Sequence, residues 1–332
     1  MSQARYDVLG IGNAIVDLIA TTDEALLARE AIQKGGMTLI DEARAEHLYS
    51  VMGPAIVTSG GSAGNTMAGI ASFGGRGAYF GKVRDDELGR LFSHDIKAIG
   101  VDFPSLPAHS GPATARSMIF VTPDGERSMN TYLGACTQLG PEDVDQASVE
   151  AAQITYLEGY LWDPPAAKEA FRKASKIAHN AGRKVALTLS DSFCVDRYRS
   201  EFLDLMRSGQ VDIVFANEAE LKSLYETSDF DSAVGAIRQD ASLAIVTRSE
   251  LGAMAISRSE SVSAPAFPVD KLVDTTGAGD LFAAGFLFGL TTGRDHRQCL
   301  RLGALAAAEV ISHVGPRPLV NLRQLAVDNG LI

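Results

Sequence analysis

Short, uniformly apolar runs alternate with longer stretches of helical periodicity along most of this 332-residue sequence. Uniformly apolar runs are typical of strands buried on both faces, and strand–helix alternation is typical of a parallel sheet covered by helices. We therefore predict an α/β protein with a doubly wound, mostly parallel sheet and helices on both faces. The predicted strands are 6–11, 78–81, 154–158, 185–189, 213–216 and 243–247, and the predicted helices are 65–73, 86–99, 165–181, 202–208, 233–240, 278–290 and 297–312.

Two regions interrupt this alternation with strand-like runs where crossover helices would be expected. Residues 14–21 and 37–40 form one pair of runs, and residues 113–121 and 128–133 flank Pro-Asp-Gly, a strong turn signal. We predict that these runs form a small second sheet, a β-sheet lid over a ligand cleft. The predicted organisation is a single domain, 1–332, with the lid inserted from about 14–41 and 110–134 and the core formed by about 5–13, 54–109 and 135–320.

The charge of the chain disfavours some classes of partner. Asp and Glu number 41 against 30 Lys and Arg, which gives a formal net charge of −11. Nucleic acids and anionic membranes attract basic surfaces, so we expect neither as a partner. Cys136, Cys194 and Cys299 are far apart, as is typical of free thiols in a reducing compartment, and the first residues lack the apolar core of a signal peptide. We expect a cytoplasmic protein.

The first glycine-rich segment follows the opening strand. Gly10 and Gly12 match the start of a dinucleotide-binding fingerprint, but Ile15 stands where the third glycine belongs. The residues that follow predict a strand instead of a helix, which disfavours an oxidoreductase. Asn13 and Asp17 lie near the carboxyl end of the opening strand, where open α/β sheets bind ligands. They are candidate ligand-binding residues, with a turn Asn and a surface Asp as the alternative.

A second glycine-rich segment, residues 59–65 (SGGSAGN), leads into a predicted helix. Glycines allow a ligand to approach the backbone, and a helix N-terminus supplies free N–H donors. Gly61 and Asn65 are therefore candidate ligand-binding residues, although Asn65 could instead cap the helix. The glycines lack the Lys and Ser/Thr of a P-loop.

A third segment, residues 274–280 (DTTGAGD), precedes a strongly apolar predicted helix. The backbone N–H groups of Gly277, Ala278 and Gly279 predict an anion hole at the helix N-terminus, where the helix dipole favours negative charge. Asp280 is badly placed to bind phosphate but well placed to accept a proton from a hydroxyl that attacks a bound phosphoryl group. The alternative is that Asp280 only complements the helix dipole.

Together these segments resemble one known family. Residues 274–280 resemble the signature of the PfkB (ribokinase-like) carbohydrate and nucleoside kinases, and residues 60–75 are similar to the N-terminal signature of that family. Residues 217–220 match its NxxE motif, and residues 246–252 resemble its nucleotide-binding turn. The motifs run in family order from residue 6 to about 318. The resemblance implies a ribokinase-like fold and a kinase that uses ATP and Mg²⁺.

The resemblance also implies roles for individual residues. Asp280 would be the base, and Arg127 from the lid turn would lie near the transferred phosphoryl group. Glu220 would order Mg²⁺ through water, and Asp274 is in the place of a ligand for a monovalent cation such as K⁺. The implied acceptor-binding residues are Asn13, Asp17, Gly61, Asn65, Leu133 and Tyr160. The implied ATP-binding residues are Asn217, Glu220, Thr247, Gly252, Thr276, Gly277 and Gly279.

The identity of the acceptor rests on further resemblance. Residues 12–17 (GNAIVD) and the lid pattern look most like the adenosine kinase branch, which implies transfer of the γ-phosphoryl group of ATP to the 5′-hydroxyl of a nucleoside, adenosine first. A sugar such as ribose or fructose, or inosine or guanosine, is the alternative acceptor, and a non-catalytic ligand-binding protein is disfavoured by the intact Asp280. The lid pattern suits a monomer or a homodimer. Candidates for an apolar base pocket are Leu39, Ser117, Leu133, Tyr160, Leu161 and Trp162.

Overall fold

A computed structural model describes residues 4–332 and contains, within that range, thirteen strands and twelve α-helices. The strands are β1 (Tyr6–Ile11), β2 (Ile15–Thr21), β3 (Met37–Leu39), β4 (Ile56–Ser59), β5 (Gly77–Phe80), β6 (Ala115–Val121), β7 (Arg127–Tyr132), β8 (Ala152–Glu158), β9 (Lys184–Thr188), β10 (Ile213–Asn217), β11 (Leu243–Thr247), β12 (Ala253–Ser257) and β13 (Ser261–Ala264). The helices are α1 (Glu24–Arg29), α2 (Glu42–Val51), α3 (Ser62–Ser72), α4 (Glu87–Ala98), α5 (Gln146–Glu150), α6 (Pro165–Asn180), α7 (Ser192–Arg207), α8 (Glu218–Leu224), α9 (Phe230–Asp240), α10 (Ala278–Thr291), α11 (His296–Val310) and α12 (Leu322–Asp328).

The larger of two sheets has eight strands in the order β13-β12-β11-β10-β9-β8-β1-β5. The six strands from β11 to β5 are parallel, and β12 and β13 add an antiparallel edge. All six strands predicted for the core belong to the parallel part, and the predicted α/β fold class is confirmed. The antiparallel edge was not predicted, because two short strands with a tight turn do not produce a strand–helix rhythm.

The side chains of the main sheet are buried on both faces. Along β1, Val8 belongs to an apolar cluster with side chains of α3, α10 and α11, whereas Leu9 belongs to a second cluster with side chains of α6 and α7. Because successive residues of a strand point to opposite faces, burial on both faces requires the uniformly apolar runs seen in the sequence. The helices therefore form two layers around the sheet.

The predicted helix 202–208 is too short. In the structure α7 begins at Ser192, where the Asp191 carboxylate accepts from the Cys194 N–H and caps the first turn. Tyr198 interrupts the helix with non-helical backbone angles, so the sequence before it lacks a continuous helical period. The prediction found only the regular second half.

The smaller sheet has five strands in the order β3-β7-β6-β2-β4 and forms the lid. Side chains alternate along β6. Met118 and Phe120 pack against an apolar cluster that includes Leu27 of α1 and Leu48 of α2, whereas Ser117 and Ile119 line a cavity on the opposite face. One face of the lid is therefore its own small core, and the other faces the main domain.

The predicted boundaries of the lid need a correction at its first segment. The prediction ended that segment at about 41 and resumed the core at about 54, whereas β4 pairs antiparallel with β2 inside the lid sheet and α2 packs on β6 and β7. Pairing with β4 satisfies backbone groups of β2 that would otherwise form a free edge. The lid therefore takes in most of residues 42–59 as well.

None of the helices in residues 4–332 combines the length and the apolar character needed to cross a bilayer. The three cysteines are buried and free.

Candidate active site

A cavity of about 720 Å³ lies between the main sheet and the inner face of the lid. Asn13, Asn217 and Thr247 reach it from the carboxyl ends of β1, β10 and β11, and the N-terminus of α10 closes one side. The carboxyl edge of a parallel sheet is where α/β proteins bind ligands. The cavity is therefore the candidate active site.

The N-terminus of α10 fits an anion. Gly277 is the N-cap with φ of +80°, and a Cβ on it would lie only 2.6 Å from the Pro316 carbonyl oxygen, so the turn requires glycine. The Ala278 N–H donates to the Thr275 carbonyl oxygen at 3.2 Å, which leaves Gly277 and Gly279 as the better donors to a ligand. Both glycines line the cavity. A phosphate group suits this position because the helix dipole favours negative charge at this point.

Asp280 lies beside this anion site and is held by two donors. The Ser62 hydroxyl donates to Oδ1 at 2.6 Å, and the Asn65 amide nitrogen donates to Oδ2 at 3.0 Å. Burial raises the pKa of Asp280, and these two hydrogen bonds oppose the rise. The carboxylate faces the cavity, so a bound hydroxyl can reach it. Asn65 does not cap α3, since Gly61 is the N-cap and Asn65 lies inside the helix.

Asp17 contributes a second carboxylate from β2 of the lid sheet. Burial raises its pKa to about 7, the positive charges of Arg317 and Arg127 lower it, and the negative charge of Asp280 raises it further. A Cβ on Gly60 would lie 2.2 Å from the Asp17 Oδ2 atom, so a larger residue at position 60 would displace the Asp17 carboxylate. Asp17 lines the cavity.

Glu158 is a third buried carboxylate that the sequence analysis did not select. It accepts from the Asn13 amide nitrogen at 2.8 Å and from the Ala63 N–H at 2.8 Å, and burial raises its pKa to about 7. It lines the cavity at the carboxyl end of β8. That position was the available signal, because a polar residue that ends a buried parallel strand lies at the ligand edge of the sheet.

The NxxE motif forms a capping box at the start of α8. Asn217 Oδ1 accepts from the Glu220 N–H at 2.8 Å, and Glu220 Oε2 accepts from the Asn217 N–H at 3.0 Å. Burial raises the pKa of Glu220 to about 7, and both residues line the cavity. Mg²⁺ is usually bound by one or two carboxylates together with water and substrate phosphates, so one carboxylate in the cavity that also contains the anion site fits it.

The Asp274 carboxylate is surrounded by donors. Oδ1 accepts from the Thr276 N–H at 3.1 Å and from its hydroxyl at 2.8 Å, and Oδ2 accepts from the Gly315 N–H at 2.9 Å. The Arg127 guanidinium lies 2.6 Å from Oδ2 in a buried ion pair that lacks hydrogen-bond geometry. The Arg127 guanidinium therefore supplies positive charge to this carboxylate, at the place predicted for a monovalent cation. Arg127 itself lies beside the anion-hole loop and does not line the cavity.

The lid wall of the cavity is largely apolar. Ser117 and Thr131 add one polar point, because their hydroxyl oxygens are hydrogen-bonded to each other at 2.8 Å. Tyr160 faces the same space from the main domain. A flat apolar group with polar atoms at its edge fits this wall. The apolar side chains that line it are Ile15, Met37, Leu39, Ile119, Met129 and Leu133.

Three further predicted site residues, besides Arg127 and Asp274, do not line the cavity. Leu161 and Trp162 are fully buried in the core around α6 and α7, where Trp162 packs near Phe171 and Phe202 and donates to Glu201. Gly252 lies in the tight turn between β11 and β12 with φ of +87° and is not among the cavity-lining residues. Its glycine is explained by the turn, since a Cβ would lie 2.1 Å from the Ala264 carbonyl oxygen.

Most of the other predicted site residues meet at the cavity. The predicted acceptor-binding residues that line it are Asn13, Asp17, Gly61, Asn65, Leu133 and Tyr160. The predicted phosphoryl-transfer and ATP-binding residues that line it are Asn217, Glu220, Thr247, Thr276, Gly277, Ala278, Gly279 and Asp280.

An anion-binding helix N-terminus with an adjacent carboxylate, on this sheet and under this lid, is typical of hydroxyl-directed phosphotransferases with the ribokinase-like fold. The family model described as pfkB family carbohydrate kinase matches residues 55–321. The chain belongs to that family, and the predicted resemblance is confirmed.

Two solved structures and one further relative are similar over nearly the whole chain. Adenosine kinase from Sinorhizobium meliloti is 61% identical with a TM-score of 0.93, covering 98% of this chain and 100% of that chain. A probable sugar kinase from Rhizobium etli CFN 42 is 57% identical with a TM-score of 0.95, covering 99% and 100%. Adenosine kinase from Saccharomyces cerevisiae is 26% identical, covering 92% of this chain and 95% of the relative.

Proposed function

We propose that the protein transfers the γ-phosphoryl group of ATP to the 5′-hydroxyl of adenosine, giving AMP and ADP. The observation that carries the proposal is Asp280, held by Ser62 and Asn65 next to the anion-binding N-terminus of α10 in one cavity. A binding protein has no use for a carboxylate beside a phosphate site, whereas a kinase needs a proton acceptor there.

In the proposed reaction the 5′-oxygen attacks the γ-phosphorus while its proton passes to Asp280. The bond between the γ-phosphorus and the oxygen that bridges to the β-phosphorus breaks, and ADP leaves with the electron pair. The N–H groups of Gly277 and Gly279 stabilise negative charge on the transferred group. The raised pKa of Asp280 makes the carboxylate a better proton acceptor than an exposed aspartate.

Mg²⁺, when bound, neutralises charge on the β- and γ-phosphates. Asn217 and Glu220 would hold it with the help of water, because they offer oxygen atoms at the wall of the cavity that the N-terminus of α10 also lines. Their capping box fixes both side chains at the start of α8.

The polar floor of the cavity suits a ribose. The Asp17 carboxylate can accept from two hydroxyls, and Asn13 and Glu158 add further polar groups close by. The apolar lid wall then faces the base, and the Ser117–Thr131 pair can meet a ring nitrogen. A purine nucleoside satisfies both walls at once.

A free sugar is the second candidate acceptor. The three buried carboxylates Asp17, Glu158 and Asp280 would bind sugar hydroxyls equally well, and similarity to a probable sugar kinase supports this reading. A free sugar has no apolar group to contact the lid wall, so we favour the nucleoside.

The first test is a coupled assay of ADP release with ATP and Mg²⁺ against adenosine, inosine, guanosine, ribose and fructose 6-phosphate. We expect turnover with adenosine, with AMP identified by chromatography. Asp280→Asn should lower kcat by about 10²–10⁴-fold because the proton acceptor is lost. Asp231→Asn, an exposed aspartate on α9, is the control and should behave as wild type.

Each outcome decides a separate part of the proposal. Turnover with ribose or fructose 6-phosphate in place of adenosine would overturn the nucleoside and keep the phosphoryl transfer. An Asp280→Asn enzyme with wild-type kcat would remove Asp280 from the chemistry. No turnover with any acceptor would contradict the kinase proposal for these substrates.

A further inference from the structure

Arg317 lies beneath the cavity although no sequence motif pointed to it. It follows α11 in the segment 315–318 (GPRP), and its guanidinium is buried between β4 and α3. Its Nη2 atom is inaccessible to solvent and has no hydrogen-bond partner among residues 4–332. Burying an arginine is costly unless its charge is used, so a specific role is expected.

Two donors of the guanidinium hold neighbouring segments together. Nη1 donates to the Ser59 hydroxyl oxygen at 2.6 Å, and Nε donates to the Asn65 side-chain oxygen at 3.3 Å. The Ser59 hydroxyl donates in turn to Asp95 of α4 at 3.2 Å. The end of the lid strand β4, helix α3 and helix α4 therefore meet at one cation.

The contact with Asn65 decides which way the Asn65 amide points. Its oxygen faces the Arg317 guanidinium, and its nitrogen donates to Asp280 at 3.0 Å. The reversed amide would place an oxygen against a carboxylate and an N–H group against a cation, and both contacts are repulsive. Arg317 and Asp280 thus select the same amide orientation from opposite sides.

We propose that Arg317 is a positioning residue for phosphoryl transfer, which fixes the Asn65 amide so that it always donates to the Asp280 carboxylate. The proposal rests on the proposed function in that Asp280 is taken as the proton acceptor. Arg317 touches neither reacting group and acts through Asn65. Its further effect is to place a positive charge near Asp17, the predicted acceptor-binding carboxylate.

Several charged and titratable groups surround this network. Arg317 faces Asp17 of β2, Asp95 of α4 and Tyr79 of β5. Asp280 interacts electrostatically with Asp17 and with three residues of β8 and the turn that follows it, Tyr156, Glu158 and Tyr160. Any titration seen at Asn65 has to be assigned against these neighbours.

The test follows the side-chain amide resonance of Asn65 by NMR as the pH is changed, in the protein without substrate. In wild type we expect this resonance to titrate with Asp280, and Asp280→Asn should abolish that titration, which separates it from those of Asp17 and Glu158. The Asn65 bond lowers the pKa of Asp280. Arg317→Met should therefore move the midpoint to higher pH, because the amide no longer stays in the donating orientation.

The matched control is Arg294→Met. Arg294 also has a buried guanidinium atom without a hydrogen-bond partner in the described range, and it donates to a backbone carbonyl near the C-terminus, away from the cavity. We expect it to leave the midpoint unchanged. If Arg317→Met does not fold, Arg317→Lys is measured instead. One ammonium cannot hold Ser59 and Asn65 in the same geometry, so a smaller shift in the same direction is expected.

A wild-type midpoint in a folded Arg317 variant would overturn the proposal and leave a purely structural role. Kinetics add a second readout. On the acidic side of the pH profile, Arg317→Met should lower kcat about tenfold. In a protein that already carries Asn65→Ala, the same substitution should have little further effect on kcat. Since the NMR readout needs no turnover, an inactive wild type would refute the proposed function, and the Asn65 titration would still decide whether Arg317 fixes the Asn65 amide.

Discussion

The two ends of the cavity are formed by different kinds of groups, backbone at one end and side chains at the other. At the phosphoryl end, the ligand would meet backbone N–H groups of Gly277 and Gly279 on α10, a helix whose next turns are buried in the core. At the acceptor end, it would meet side chains of a small sheet, and the edge strand β3 is exposed at all three residues. One end depends on the backbone geometry of a buried helix start, whereas the other depends on the shape of side chains on a partly exposed sheet.

This difference predicts how each end responds to mutation. A backbone site tolerates almost no change at the glycine that shapes it, since the turn exists only at positive φ. A side-chain wall loses contacts in proportion to what is removed and can still bind other ligands. The phosphoryl end should therefore control whether catalysis occurs, and the acceptor end should control which acceptor is used.

The largest effect is expected for Gly277→Ala. The new Cβ would require alanine at φ of +80° and would lie 2.6–3.0 Å from atoms of Pro316. Distortion of the anion hole should lower kcat by about 10²–10³-fold with every acceptor. The strained turn should also lower the free energy of unfolding by about 1–3 kcal/mol. The assay and thermal unfolding measure the two effects.

Gly279→Ala is the matched control for stability in the same loop. A Cβ on Gly279 meets nothing within 4 Å, and its φ is not positive. Because alanine is favourable in the first turn of a helix, its melting temperature should equal or exceed that of wild type. A Gly277→Ala protein as stable as Gly279→Ala would contradict the claim that the turn at Gly277 requires glycine.

The same contrast explains what the sequence could predict. Most residues predicted for the phosphoryl end line the cavity, because residues 274–280 encode a turn, a helix start and a carboxylate in consecutive positions. The parallel sheet was found because burial on both faces leaves uniform apolar runs. Local patterns of this kind can be recognised in a single sequence.

Features that depend on distant partners were missed or misplaced. The role of Arg317 can be recognised only from its contact with Asn65, which is 252 residues away in the sequence. Strand β4 reads as a short apolar run until it pairs with β2. Trp162 was assigned to the base pocket because an aromatic residue suits both a pocket and a core, and only packing against α6 and α7 decides between them.

A smaller and more selective effect is expected at the acceptor end for Leu133→Ala. Leu133 lines the lid wall, and removing its side chain takes apolar contact from the base and none from a free sugar. We expect kcat/KM for adenosine to fall about 10–100-fold, with little change in any activity on ribose. The control is Leu106→Ala, a leucine that is 79% exposed and does not line the cavity. Equal losses with both acceptors would refute a base-binding role for this wall.

An effect on stability of the opposite sign is expected for Asp17→Asn. Burial raises the pKa of Asp17 to about 7 in the folded protein, against 3.8 as its ordinary value, so the folded state binds more protons than the unfolded state between these values. The free energy of unfolding therefore falls as pH rises from about 4 to 7, and the ionised carboxylate is a cost above that range. Asparagine removes that cost.

Asp17→Asn should consequently exceed wild type in unfolding free energy by about 1–4 kcal/mol at pH 8, with the gap closing toward pH 4. Denaturant titrations at the two pH values measure this. Burial also raises the pKa values of Glu158 and Glu220, but both residues are present in wild type and in the variant. The difference in unfolding free energy between the two proteins therefore reports on Asp17. The same variant should bind the acceptor more weakly. If Asp17→Asn is instead less stable at pH 8, attraction to Arg317 and Arg127 outweighs burial, and this carboxylate stabilises the joint between lid and core.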